Sequence, residues 1–224
     1  MADPGYTRIK APSAAVTQAV LDLWNRVRKP ADVLIVIDVS GSMSTIVAGT
    51  GKSRLQLAQE ASRPVVDALA PTDQLGLWAF SSPLGKDRDP WRVAVPTGPV
   101  KDVGPQFTAA VSALQADGAT ALYATTRAAV QSMKQQANAA RISAVVLLSD
   151  GENRYDADND LDRLLADLSA QSLDNAVRVF TIAYGSEADA KTLSSMALRT
   201  RAAAYDARNA VEIGQVVNDV LANF

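Results

Sequence analysis

The chain has 224 residues, with 22 Lys plus Arg against 24 Asp plus Glu for a formal net charge of -2, and it contains neither histidine nor cysteine. That length suits one large domain or two small ones and buries roughly 70% of the unfolded surface. The near-neutral balance sets up no basic field for nucleic acid, and the two absences exclude zinc sites, imidazole acid/base catalysis, thiol nucleophiles and disulfides.

Oxygen and amine groups must therefore carry any chemistry. The lack of cysteine is silent about compartment, because disulfides are optional at this size. No apolar run approaches the roughly 20 residues of a membrane helix. Met1-Ala2-Asp3-Pro4 begins no signal peptide, and a soluble chain is expected.

Residues 1–12 carry Pro4, Gly5 and Pro12 and read as a tail. From Ser13 to Arg28, Val16, Val20, Leu21, Leu23, Trp24 and Val27 recur at helical spacing, which predicts a short amphipathic helix stopped by Lys29-Pro30. The expected division is tail and helix over 1–30, then one domain over 31–224. Ala31 to Ile37 is a nearly continuous aliphatic run, as in a parallel strand buried on both faces.

Arg54 to Leu69 has helical periodicity through Leu55, Ala58, Ala61, Val65 and Leu69, with Pro64 as a kink or break. Leu75 to Ser81 and Trp91 to Val95 are strands, and the link between them is too short for a crossover helix. The pair should be antiparallel and at the sheet edge. Phe107 to Gln115 and Ala121 to Ala140 read as helices, Ile142 to Ser149 as a central strand and Asp160 to Ser172 as a helix. Val177 to Tyr184 is a strand, Ala188 to Leu198 a helix, Ala202 to Tyr205 a short strand and Val211 to Leu221 a last helix. This alternation predicts an α/β fold, a doubly wound open sheet that is mostly parallel with one antiparallel edge strand and helices on both faces.

The most informative segment is Asp38-Val39-Ser40-Gly41-Ser42, directly after the first aliphatic run. Asp38, Ser40 and Ser42 alternate, which on extended chain puts one carboxylate and two hydroxyls on one side. Thr120, in Gly118-Ala119-Thr120, and Asp150, after Val145 to Ser149, add two hard oxygen donors at junctions of the same kind. Such donors suit Mg²⁺, Mn²⁺ or Ca²⁺ better than soft metals. Asp38 and Asp150 both follow strands, and ligands of doubly wound sheets bind beyond strand carboxyl ends where the strand order reverses. Two ionised carboxylates about 4 Å apart repel by about 4 kcal/mol at an effective dielectric near 20, a penalty that a divalent cation removes.

D-x-S-x-S, a distant Thr and a distant Asp in this order resemble the metal-ion-dependent adhesion site of von Willebrand factor A domains. The resemblance runs from about Ala31 to Phe224. It implies a Rossmann-like sheet of order 3-2-1-4-5-6 and a metal held by Asp38, Ser40, Ser42, Thr120 and Asp150. Some of these would bind directly and others through water. It also implies a coordination position left for a carboxylate from a partner protein. No catalytic residue, nucleic-acid partner or membrane span is expected, and a monomer is favoured.

The Lys29-Pro30 stop behind a helix containing Trp24 resembles the C-terminal A domain of bacterial exported solute-binding proteins. That implies an extracytoplasmic place within a longer protein. The alternative is a cytoplasmic accessory subunit, as for A domains that assist metal-insertion or remodelling ATPases.

Three patterns point elsewhere and are weaker. Gly49-Thr50-Gly51-Lys52-Ser53 ends like a phosphate-binding loop, but the full pattern needs glycine where Ile46 stands. An aspartate-nucleophile phosphatase would want a second acid at the position of Ser40. The run of Asp156, Asp158, Asn159, Asp160 and Asp162 lacks the glycine and glutamate of a calcium loop, holding Leu161 and Asp167 there. It reads as an acidic loop feeding a helix N-terminus. Trp24, Trp78 and Trp91 read as core or surface anchors.

Overall fold

The aliphatic run at Ala31 forms β1 (Ala31–Asp38), and every residue of it is buried. The computed structural model describes residues 11–84, 89–137, 139–171, 176–184 and 188–207, with backbone alone for 21–22 and 24–27. The remaining strands are β2 (Gln74–Phe80), β3 (Trp91–Pro99), β4 (Ile142–Ser149), β5 (Val177–Tyr184) and β6 (Ala204–Ala207). They make one sheet in the order β3-β2-β1-β4-β5-β6. β2 and β4 flank β1 in parallel, β5 and β6 continue in parallel, and β3 runs antiparallel to β2. Both the order and the antiparallel edge agree with the sequence expectation.

The helices are α1 (Ala14–Val27), α2 (Arg54–Ser62), α3 (Val65–Ala68), α4 (Val100–Ser112), α5 (Leu122–Lys134), α6 (Leu161–Ser169) and α7 (Ala190–Arg199). The strand period of two sends Val33, Ile35 and Ile37 into one core with Leu55, Ala58, Val65 and Phe107 of α2 to α4. Leu34 and Val36 enter the opposite core with Leu122, Met133, Leu164, Leu168, Leu193 and Met196 of α5 to α7. Two-sided packing is what makes Val33 to Ile37 of β1 continuously apolar, and it fixes where Asp38 emerges.

Several boundaries differ from expectation. Pro64 is not one of these: of the kink or break expected there, the chain shows the break, between α2 and α3. β3 extends through Pro96 to Pro99 instead of ending at Val95, because an edge strand has one side with no ladder to break. α4 begins at Val100 rather than Phe107 and contains both Gly104 and Pro105. A Cβ on Gly104 would come within 2.8 Å of Val66 Cγ1, so the glycine lets α4 press against α3. Pro105 sits over exposed Lys101, whose carbonyl can turn to solvent in place of the missing helix bond.

α5 ends at Lys134 rather than Ala140. Its chain closes in a turn, Gln136 N donating to Met133 O at 3.1 Å, ahead of β4. The expected helix over Val211 to Leu221 and the Trp24 side chain lie outside the described residues. No described helix is long and apolar enough to cross a membrane.

Candidate functional site

β1 and β4 are neighbours at the point where the strand order reverses, and their carboxyl ends present Asp38 and Asp150. Asp38 is fully buried. Its Oδ1 accepts the Ser40 amide at 2.8 Å, and its Oδ2 accepts the Ser149 hydroxyl at 2.6 Å. Burial pushes the Asp38 carboxyl up to about 6, against the two hydrogen bonds, and the charge of Asp150 adds to the rise.

Beyond Ser40 the chain is not extended. Gly41–Ser44 is a turn of 3-10 helix, so simple alternation does not aim the second serine. Met43, fully buried beneath it, anchors the turn, and Met43 N donates to Ser40 O at 3.0 Å. That geometry brings Ser42 Oγ to 3.1 Å from Ser40 Oγ, and Ser42 donates to Asp150 Oδ1 at 2.7 Å.

The Thr120 loop is tied to the same place. Gly41 N donates to Gly118 O at 2.9 Å, and Ser82 and Ala119 exchange backbone bonds of 2.7 and 3.1 Å. Gly118 has φ +82°, and a Cβ there would lie 2.7 Å from the Ser82 carbonyl oxygen, so glycine alone fits without rearrangement. Thr120 Oγ1 faces the Asp150-Gly151 turn, 3.3 Å from where a Cβ on Gly151 would stand.

Ser40, Ser42, Thr120 and Asp150 line one cavity of about 590 Å³, together with Thr45, Arg54, Glu152 and Arg154. Asp38 lies behind the wall, joined to it through Ser40. Four of the five expected residues therefore meet in the cavity, and the fifth supports one of them. A second cavity of about 600 Å³, between α5, α6 and Trp91, shares none of these residues.

Arg54 is the residue that motif reading passes over. Its Nη1 lies 2.7 Å from Asp150 Oδ2, and the two side chains are 11% and 0% exposed. Arg54 opens α2, directly after the Ser53 and Gln56 capping box. A cation at a helix N-terminus opposes the helix dipole. That local conflict was the available signal that Arg54 has a tertiary partner.

The donors fit a hard divalent cation: the hydroxyls of Ser40, Ser42 and Thr120 and the carboxylate of Asp150 are all oxygen donors on the cavity wall, where Thr45 and Glu152 add a further hydroxyl and carboxylate, and the Asp38 carboxylate lies behind it. Among the described residues no three carboxylates gather at one point, so hydroxyl ligands would have to complete the set. The weaker patterns have other uses. Lys52 Nζ pairs with Glu60 at 2.8 Å on the exposed surface, and Ser53 caps α2. Asp160 caps α6 by accepting from Arg163 N at 2.9 Å, while Asp158 pairs with Arg127 at 2.6 Å. Trp78 and Trp91 stack at 6.1 Å.

The family model of the von Willebrand factor type A domain matches residues 32–219. The chain belongs to this family. No curated protein sequence matches it.

Solved structures similar to this von Willebrand factor A domain include a von Willebrand factor type A protein from Catenulispora acidiphila, 21% identical with TM-score 0.70, over 87% of this chain and 42% of that one. The PilB minor pilin from Streptococcus sanguinis, in its D319A form, is 14% identical with TM-score 0.67, over 88% and 61%. The pilus adhesin SpaC from Lactobacillus rhamnosus GG is 16% identical with TM-score 0.68, over 88% and 31%. This chain thus spans less than two thirds of each of the three. At these identities the likeness is one of fold.

Proposed function

We propose that this von Willebrand factor A domain is a protein-binding module of adhesion or scaffold type, whose site holds Mg²⁺, or Mn²⁺ or Ca²⁺, and reads an acidic side chain of its partner. The observation that carries the reading is the contact chain Ser40 Oγ to Ser42 Oγ to Asp150 Oδ1, at 3.1 and 2.7 Å, inside a cavity that Thr120 also lines. Asp150 and three hydroxyls would hold the ion. Asp38 would orient Ser40 and add charge from behind. Hydroxyl ligands add no charge, so the bound cation keeps its attraction for an incoming carboxylate.

A binding role rather than an enzymatic one is supported by the side chains present. The cavity has no histidine or cysteine, and its Asp150 is engaged by Ser42 and Arg54. An extracytoplasmic setting draws support from the pilin and pilus adhesin among the similar folds.

Calorimetric titration with Mg²⁺ and Mn²⁺ tests the metal assignment. The parent should bind one ion, and the double variant Asp38→Asn, Asp150→Asn should bind far more weakly. Equal affinity in the two would overturn it. A pull-down with Mg²⁺ against chelator then reads the metal dependence of the partner.

A further inference from the structure

We propose that Arg54 is the site's internal cation, competing with a divalent ion for Asp150; this rests on the metal reading above and goes beyond it. Both oxygens of Asp150 are already engaged, Oδ1 by the Ser42 hydroxyl and Oδ2 by the Arg54 guanidinium, each at 2.7 Å. The pair is largely out of solvent, where opposite charges attract more strongly than at the surface. The fold therefore keeps Asp150 neutralised from within.

A dication approaching Asp150 Oδ2 meets a positive charge already at hydrogen-bond distance. It must displace the guanidinium or tolerate it as a like-charged neighbour. Arg54 is tethered at the start of α2, and α2 packs against the Gly41–Ser44 turn through Arg54 N, which donates to Thr45 O at 3.0 Å. Exchange of one cation for the other thus acts on the same turn that carries Ser42.

The charge balance gives this exchange a purpose. Asp38 and Asp150 cancel one dication and Glu152 offsets Arg154 on the same cavity wall, so the metal-loaded site keeps one net positive charge, that of Arg54. One carboxylate from a partner brings the total to neutral. Metal and acidic partner should accordingly strengthen one another's binding.

Two substitutions separate competition from a purely structural role. Arg54→Gln removes the charge while keeping a donor for Asp150, and Arg54→Lys keeps the charge. Mn²⁺ affinity by calorimetry and metal-free unfolding are measured on all three proteins. Arg54→Gln should bind Mn²⁺ about tenfold more tightly or better, despite lower metal-free stability, with Arg54→Lys within about threefold of the parent. A structural role would lower affinity and stability together, and unchanged or weaker binding by Arg54→Gln overturns the proposal.

Binding by Arg54→Gln alone would support the competition while removing metal dependence from the parent chain. No binding by any of the three would overturn the metal site and this inference together.

Discussion

Ser149 and Asp38 join the ends of two neighbouring strands: the Ser149 hydroxyl donates to Asp38 Oδ2 at 2.6 Å, wholly out of solvent. Burial nonetheless dominates and raises the Asp38 carboxyl to about 6 from an ordinary value of 3.8. Between those values the native state holds a proton that the unfolded chain has released. Stability from this group is therefore complete below about pH 4 and is lost as pH rises through about 6. In chelator, the loss should be on the order of 3 kcal/mol, seen as a falling urea midpoint. Asp38→Asn should flatten that part of the profile; an unchanged slope would remove Asp38 as its source.

Ser149→Ala tests the hydrogen bond itself. It should cost about 1.5–3 kcal/mol near neutral pH, where the acceptor is charged. The cost should shrink below about pH 6, where Asp38 is protonated. A pH-independent cost would mean that the hydroxyl acts through packing alone.

The sheet was legible because the central parallel strands β1 and β4 carry aliphatic runs buried on both faces, and because the short link from β2 to β3 forbids a crossover. The start of α4 was not legible, since Gly104 and Pro105 look like breakers until the close approach of Val66 and the exposed position of Lys101 one turn earlier explain them. Within the site, residue types and order were enough to select Ser40, Ser42, Thr120 and Asp150 as a group. The burial of Asp38 behind them and the Arg54 pairing depend on a 3-10 turn and on a long side chain crossing between elements. Neither leaves a periodic trace.

Asp150 and Thr120 should separate metal holding from partner recognition. Asp150→Ala removes the carboxylate proposed to hold the metal and also strands a largely buried guanidinium, costing about 3–5 kcal/mol of stability. Asp150→Asn leaves Arg54 an acceptor, so its loss of metal can be read with less damage to the fold. Thr120→Ala leaves charge unchanged and should retain metal while weakening partner binding. Both assays belong on the same preparations at saturating Mg²⁺; a partner affinity equal to the parent's would take Thr120 out of the recognition site.

Gly118→Ala should destabilise by about 1 kcal/mol or more, because a left-handed conformation and the Ser82 carbonyl both oppose the added methyl. For a chain of this length that is a drop in Tm of about 2–4 °C. Metal affinity should fall as well, since Gly118 also holds Gly41 in place. A variant as stable as the parent would show that the Thr120 loop relaxes freely.

The outer edge at β3 bears on how copies of this domain can meet. Pro96 and Pro99 remove two amide donors from that strand, and half-exposed Val93 is left between charged Arg92 and the prolines. A second chain laid along this side could not complete a regular ladder, which protects against runaway strand addition when many copies are crowded together. Assembly into arrays would then fall to loops and side chains, leaving the sheet itself unshared.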